Sequence, residues 1–153
     1  MKILLRGALF MALFAGAATG FAAEHGTRDE AVAMVQKAMT YLKQNGREKA
    51  FAEINNRQGQ FVDRDLYVVV YDMNGKNIAH GGNTKMVGKD LIDMKDVNNK
   101  PFMRERIEIV KAKGKGWQDY VFANPASGMM ESKSMYIEKF EDLIIGCGIY
   151  KSK

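Results

Sequence analysis

The order of local patterns along the chain predicts an α+β domain, with helices packed on one face of a five-stranded antiparallel sheet. Apolar residues recur at helical spacing after Thr27. The run from Leu66 to Tyr71 is instead rich in β-branched and aromatic residues, which favours a strand. Further strand-like segments near the C-terminus are separated by short turns. At 153 residues, the chain has the length of one domain.

The first 22 residues are interpreted as a secretion signal and not as part of the fold. A positively charged start precedes an almost entirely apolar or small stretch from Ile3 to Ala18. Gly20 and Ala22 then supply the small residues required before a cleavage site, so cutting is expected after Ala22. An uncleaved membrane anchor is the alternative, because the apolar stretch approaches spanning length. Cleavage would leave one domain, residues 23–153, in the periplasm or outside the cell.

Two helices open the predicted domain. Thr27 and Glu30 have the spacing of a capping box, in which each side chain satisfies a free backbone amide of the first turn. A stripe of apolar residues follows at helical spacing, formed by Val32, Val35, Met39 and Leu42. Gly46 ends this helix, and a shorter helix is predicted over about Arg47–Asn55.

The middle of the chain predicts a hairpin, a loop and a third helix. Leu66–Tyr71 forms the first strand, and Asp72–Gly75 has the composition of a tight turn. The return strand covers about Lys76–His80. A polar, glycine-containing loop over Gly81–Lys100 leads to a helix over Pro101–Lys113, because proline suits the first position of a helix.

Three strands complete the domain. They are predicted over about Gly116–Phe122, Glu131–Phe140 and Leu143–Tyr150. The first two are joined by a turn at Asn124–Gly128, which contains proline and glycine. A tight turn at Glu141 and Asp142 joins the last two, so all three strands run antiparallel to their neighbours.

Composition excludes several classes of function. The single cysteine, Cys147, and the two histidines exclude a disulfide within the chain and argue against zinc, iron–sulfur and haem sites, so no metal and no cofactor are predicted. Removing the leader takes away two basic residues and lowers the formal net charge from +5 to +3, too little to indicate nucleic-acid binding. No spacing of nucleophile and base, and no phosphate-binding loop, indicates an enzyme.

Segments distributed over the whole predicted domain resemble the single Cache domain of the second type (sCache_2). The resemblance begins in the first hairpin and ends in the last strand, and it keeps the family's order throughout. It is carried by Phe61–Gly75, Ala79-His80, Val87–Leu91, Lys100–Phe102, Gly116–Tyr120, Asn124-Pro125, Lys133–Tyr136 and Gly146–Tyr150.

The resemblance implies a PAS-like extracytoplasmic sensor fold, with a long N-terminal helix packed on a five-stranded antiparallel sheet. Such domains are the sensing parts of chemoreceptors, histidine kinases and cyclases, and similar ones bind acetate, propionate, pyruvate or lactate. We therefore expect a small carboxylate as ligand and a role in signal transduction or chemotaxis. No transmembrane or signalling segment is recognised after Tyr150. An exported soluble domain is thus expected, with a membrane-bound receptor or kinase as a further partner; an interaction protein that docks to a membrane sensor without a ligand of its own is the alternative.

A carboxylate pocket needs cations or neutral donors together with an apolar wall. Lys133 lies in the middle of a predicted strand, where alternation places it on the face of Met135 and opposite Tyr136. It is a candidate anchor for the carboxylate, although a lysine that protects a sheet edge is the alternative. His80 ends the second strand, where its imidazole could donate to the ligand or serve only the structure.

The other candidates are aromatic or lie on the third helix. Tyr67, Tyr120 and Tyr136 have hydroxyls that need partners if buried, and a ligand oxygen is one such partner. Trp117 is a candidate wall of the pocket, although core packing explains it as well. Arg104 could bind a carboxylate with two parallel hydrogen bonds, or could lie on a solvated helix surface.

Overall fold

The computed structural model describes residues 25–151, so the predicted leader lies outside the described residues. The helices are α1 (Arg28–Asn45), α2 (Arg47–Asn55), α3 (Phe102–Lys113) and a 3₁₀ helix at Thr84–Met86. The strands are β1 (Val62–Asp63), β2 (Leu66–Asp72), β3 (Asn77–His80), β4 (Lys115–Ala123), β5 (Met130–Phe140) and β6 (Leu143–Tyr150). In this described part of the chain, no helix has both the length and the hydropathy needed to cross a bilayer.

Short-range signals set the ends of the helices. The Thr27 N–H donates to Glu30 Oε2 at 2.7 Å, and the Thr27 hydroxyl accepts the Glu30 N–H at 3.3 Å, which confirms the capping box. Gly46 separates α1 from α2 with φ at +79°, a conformation that favours glycine. The third helix begins one residue later than predicted, because Pro101 occupies its cap position.

The sheet is antiparallel throughout, in the order β1-β2-β6-β5-β4, and β3 also pairs with β2. The last strand therefore lies in the middle of the sheet, between β2 and β5. This order brings together side chains that are far apart in the sequence. Tyr67 lies near the start of β2, and Tyr150, at the end of β6, pairs with Lys133 on β5.

One short strand was not predicted. Val62 pairs with Tyr67 and Asp63 with Leu66, which makes β1 and the start of β2 a tight hairpin. The hairpin depends on Arg64, which adopts the left-handed conformation with φ at +55°. Two residues are too few to show the alternation by which a strand is recognised in a sequence.

Helices cover both faces of the sheet, so the prediction that they pack on one face is wrong. Helix α1 packs against β5 and β6, and α2 against β3, whereas α3 packs against β4 and β5 from the other side. The sequence contained the reason: all of Leu66–Tyr71 is buried, and a continuous apolar run is typical of a strand covered on both faces.

Two separate cores result. The core on the α1 face is almost entirely apolar, and its buried members include Val35, Leu42, Ile54, Phe61, Val68, Val70, Leu143, Ile145 and Cys147. The core on the α3 face includes Tyr67, Val69, Tyr71, Phe102, Met103, Ile107, Tyr120, Met135, Ile137, Ile144 and Tyr150. The two fully buried cations, Lys133 and Arg106, lie on the second face.

Candidate functional site

Two glycines of β6 leave space on the α3 face of the sheet. A Cβ atom at Gly148 would lie 2.5 Å from Lys133 Cε, and one at Gly146 would lie 2.6 Å from Met135 Cε. The side chains of Lys133 and Met135 therefore extend from β5 across β6. This crossing allows the amine of Lys133 to reach Tyr67, which stands on β2.

The Lys133 amine is enclosed by tyrosines. Its Nζ donates to the Tyr67 hydroxyl at 2.7 Å and to the Tyr150 hydroxyl at 3.3 Å, and the residue is only 1% exposed. Nζ also lies 3.9 Å from the ring centroid of Tyr67 and 4.6 Å from that of Tyr150. The Tyr150 hydroxyl donates to the Ala123 carbonyl at 2.8 Å, so Tyr67 is the donor in the 2.8 Å bond between the two phenols. Every partner of this amine is thus electrically neutral.

Burial determines the charge state of the amine. Removal from water lowers the pKa of Lys133 to about 7; Cys147 acts in the opposite direction and the guanidinium of Arg106 in the same direction. Burial also raises the pKa of Tyr67 well above its usual value, so both hydroxyls around the amine stay protonated at neutral pH. Burial of a cation without an acidic partner costs free energy, and the lower pKa of Lys133 results from that cost.

A second buried cation, Arg106, lies on α3. Its guanidinium carbon is 5.0 Å from the ring centroid of Tyr71, 5.1 Å from that of Tyr120 and 5.5 Å from that of Phe102, and the residue is 0% exposed. Nε donates to Gln118 Oε1 at 3.1 Å, but the amino groups Nη1 and Nη2 have no hydrogen-bond partner among the described residues.

The guanidinium nevertheless stays charged. Burial acts to lower the pKa of Arg106, but the nearby oxygens of Tyr71 and Tyr120 more than offset it, so the pKa is raised. Neither hydroxyl has hydrogen-bond geometry to the two amino groups. Among the described residues, no acceptor has hydrogen-bond geometry to these two buried donors, which stand side by side in the fork geometry that fits a carboxylate.

His80 borders the same group of residues. Its ring stacks on Tyr67 with centroids 5.1 Å apart, and its Nδ1 accepts the Asn83 N–H at 2.9 Å. The neutral ring therefore carries its hydrogen on Nε2. Burial, followed by the charges of Lys133 and Arg106, lowers the pKa of His80 to about 3, so this imidazole is neutral at physiological pH.

We call this group the buried cation cluster. It consists of Lys133, Arg106, His80, Tyr67, Tyr71, Tyr120 and Tyr150. Among residues 25–151, no carboxylate forms an ion pair with either cation. Glu105 is linked to Arg106 only through Gln118, and Asp65 is engaged by His25 and the Gly26 N–H.

Two surface clefts border parts of the cluster, and Arg106 lines neither of them. The larger, of about 240 Å³, is lined by Tyr120 and Lys133 and by residues of the loop after the 3₁₀ helix, including Asp96 and Lys100. The smaller, of about 110 Å³, ends at Tyr67 beside Gly82. Both volumes lie below the ~300 Å³ at which pockets for drug-sized ligands begin.

The structure brings together four of the seven predicted site residues: Lys133, His80, Tyr67 and Tyr120. Trp117 and Tyr136 are not in the cluster, because strand alternation places both on the α1 face of the sheet. There the guanidinium carbon of Arg28 lies 3.7 Å from the Trp117 ring centroid, and the Tyr136 hydroxyl donates to Glu138. These two residues therefore lie outside the cluster, and their roles in ligand binding remain predictions.

Arg104 also lies elsewhere. Its side chain is 56% exposed and forms an ion pair with Asp93, so it belongs to the solvated surface of α3. The sequence analysis did not identify Arg106, which follows Arg104 and Glu105 in a charged run. The signal was present, since position 106 falls between Met103 and Val110 on the inward stripe of the helix.

The family model for single Cache domain 2 matches residues 12–153. The chain belongs to this family. Cache domains of this kind are extracytoplasmic sensory domains, found in chemoreceptors and histidine kinases. The predicted family and the predicted α+β, PAS-like fold are both confirmed.

Individual relatives agree with this assignment. The sensor histidine kinase MctS of Rhizobium johnstonii is 28% identical over 89 residues, which are 57% of this chain and 19% of the kinase. The chain thus spans about a fifth of that relative's length. The crystal structure of a methyl-accepting chemotaxis protein from Vibrio parahaemolyticus has a TM-score of 0.69 at 25% identity, over 80% of this chain and 86% of that one.

A solved Cache chemosensory domain, described as recognising carboxylic acids, has the same fold. Its TM-score is 0.69 at 24% identity, and the match covers 81% of this chain and 92% of that one. At this level of identity the likeness concerns the fold of the domain.

Proposed function

We propose that this chain is an exported, non-catalytic sensor domain that binds a small organic acid such as acetate, propionate, pyruvate or lactate at the buried cation cluster. The observation that carries the proposal is the pair of buried cations, Lys133 and Arg106, for which the described residues supply no acidic partner. A carboxylate is the simplest group that would satisfy both.

The chemistry of the cluster suits a short acid. The free amino groups of Arg106 can hold one carboxylate through two parallel hydrogen bonds, and Lys133 adds a charged donor. The rings of Tyr67, Tyr120 and Phe102 supply an apolar wall for one to three carbon atoms. Recognition of carboxylic acids by a Cache domain of the same fold supports this choice of ligand.

The titratable groups support binding and not catalysis. His80 is neutral, and its Nδ1 is already occupied by a backbone N–H, so this nitrogen is not available as a base. Burial raises the pKa of the Cys147 thiol to about 12, which leaves almost no nucleophilic thiolate. A binding domain that passes its signal to a membrane-bound receptor or kinase is the role consistent with the relatives.

Thermal unfolding in the presence of acetate, propionate, pyruvate and lactate tests the ligand class. A bound acid raises the melting temperature by mass action, and Arg106→Leu should abolish that rise. Arg104→Leu, which changes an exposed arginine two residues away, is the matched control and should keep it. If none of the four acids at millimolar concentration shifts the wild-type melting temperature, the proposal is rejected.

Export is tested separately, by N-terminal sequencing of the protein from the culture medium or periplasm. The expected first residue is Ala23, because cleavage is predicted after Ala22. A protein that keeps Met1 and sediments with membranes would show that the leader acts as an anchor.

A further inference from the structure

The cluster contains more positive charge than the described residues around it can balance. Lys133 and Arg106 are both fully buried, they repel each other, and the repulsion also acts on His80. A guanidinium cannot lose its proton under physiological conditions, whereas an amine can. Lys133 is therefore the group through which the empty cluster can reduce its charge.

The Lys133 amine has titratable neighbours on several elements, and no described acid forms an ion pair with it. The amine donates to the hydroxyls of Tyr67 on β2 and Tyr150 on β6. It also faces His80 of β3, Arg106 of α3 and Tyr120 of β4, which pairs with Lys133 across the sheet. The remaining titratable groups with an influence on it are Cys147 of β6, which stays a thiol, and Asp65, which is already engaged. Neutral phenols stabilise an ammonium less well than a carboxylate does.

We propose that, at neutral pH, Lys133 is partly a neutral amine in the empty site, and that a carboxylate binds together with one proton taken from solvent. The proposal rests on the function proposed above. The fraction of sites that contain ligand would then depend both on the pH and on the concentration of the carboxylate.

The proton balance is simple. The carboxylate arrives as an anion, and the amine gains one hydrogen ion from water or buffer to become an ammonium. No bond of the ligand breaks, and the complex gains one ion pair. Once the anion is in place, its charge favours the protonated amine, so the proton is retained for as long as the ligand is bound.

The direction of the pH dependence follows from this balance. The pKa of Lys133 in the empty site is about 7, and it rises when the anion binds. Below that value the amine is already protonated and affinity is flat. Above it, binding must first recharge the amine, so the dissociation constant increases by up to about tenfold per pH unit. His80 does not contribute, because its pKa of about 3 lies far below this window.

Isothermal titration calorimetry tests the proposal directly. The probes are acetate, propionate, pyruvate and lactate, each titrated at about pH 6 and at about pH 8.5 in phosphate and in Tris, whose ionisation enthalpies differ. At the higher pH, the buffer dependence of the heat should correspond to uptake of close to one proton, and at the lower pH to almost none. The dissociation constant should rise at least about tenfold between the two conditions.

Variants assign the effect to one side chain. Lys133→Gln keeps a donor but cannot take up a proton, so its residual binding should be weaker and independent of pH across the same window. Lys139→Gln changes an exposed lysine of the same strand and should keep both the affinity and the pH dependence of the wild type. Lys133→Met serves as a second variant if the Gln form does not fold.

The two proposals fail in different ways. If no probe binds at either pH, both are overturned. If an acid binds with the same dissociation constant and no proton uptake at either pH, the carboxylate function stands and the proton-linked inference is wrong. A pH dependence that persists unchanged in Lys133→Gln would also overturn the inference, since another group would then be responsible.

Discussion

The two faces of one sheet differ sharply in what they bury. The α1 face contains aliphatic side chains, with Val68, Val70 and Ile145 fully enclosed. The α3 face is built from the same strands, yet it encloses Lys133 and Arg106. Burial of apolar surface stabilises the first face, whereas burial of charge costs free energy on the second.

The comparison indicates a division of labour between the faces. The α1 face supplies stability through apolar burial, and this stability offsets the cost of the two cations on the α3 face, which have no acidic partner among residues 25–151. Replacement of buried charges by apolar groups is often neutral or stabilising, so this cluster is not explained by stability alone. Four variants test this division.

Truncation of the α1 face should destabilise the domain most. Phe61 is 0% exposed and packs edge-on against Tyr41 at 5.4 Å, so Phe61→Ala should lower the free energy of unfolding by about 3–5 kcal/mol. Urea denaturation measures the loss. The affinity of the folded fraction for an acid should not change; a variant of normal stability, or one with weakened binding when folded, would contradict the division.

Removal of the buried amine should not lower the free energy of unfolding and can even raise it. Lys133→Met should leave the free energy of unfolding unchanged or raise it by about 1–4 kcal/mol, while abolishing proton-linked binding. In the wild type the folded pKa of about 7 lies below the unfolded value, so stability should rise with pH from about 7 towards 10.5, by up to about 1.4 kcal/mol per unit. That slope should be absent from the variant. A marked loss of stability in Lys133→Met would show that the amine is structural.

A methyl group on the floor of the cluster should displace Lys133. The added Cβ in Gly148→Ala would meet Lys133 Cε at 2.5 Å and the Met135 Cα at 3.1 Å, so we expect a loss of about 1–3 kcal/mol. The double variant Gly148→Ala with Lys133→Ala removes the first of these contacts and should recover part of the loss in urea denaturation. Strict additivity of the two changes would contradict the proposed contact.

Acid should weaken the α3 face through His80. Its folded pKa of about 3 lies below the unfolded value of 6.5, so the unfolded chain binds the extra proton between these pH values. Stability is therefore lost as pH falls through this window, by up to about 1.4 kcal/mol per unit. His80→Asn keeps an acceptor for the Asn83 N–H and should have a shallower slope than the wild type in urea denaturation at several pH values. Parallel slopes would show that the histidine is not the source.

Much of the fold could be predicted because its signals are local. The capping box at Thr27, the stop at Gly46 and the hairpin after Tyr71 each depend on a few adjacent residues, and the structure contains all three. The whole-length resemblance identified the family, which the family model confirms. The strand β1 was missed because it has only two residues and depends on the unusual conformation of Arg64.

The candidate site could be predicted only in part. Alternation along β5 correctly separated Lys133 from Tyr136, but it could not say which face would receive α3 and its Arg106. Tyr150 lies 17 residues after Lys133 in the chain, and only the pairing of β5 with β6 places their side chains together. The ligand-binding roles of Lys133, His80, Tyr67 and Tyr120 remain predictions.

Most elements, their order and the family follow from local features of the sequence, because hydrogen-bonding caps, turns and hydrophobic periodicity act over short distances along the chain. Tertiary packing covers both faces of the sheet and buries on one of them two cations for which the described part of the chain supplies no acidic partner. The physical reason is that burial, and with it the pKa of a side chain such as Lys133, depends on what distant segments place around it. A lysine in a sequence has its ordinary charge; enclosed by Tyr67, Tyr150 and Arg106, it becomes a titratable group near neutral pH.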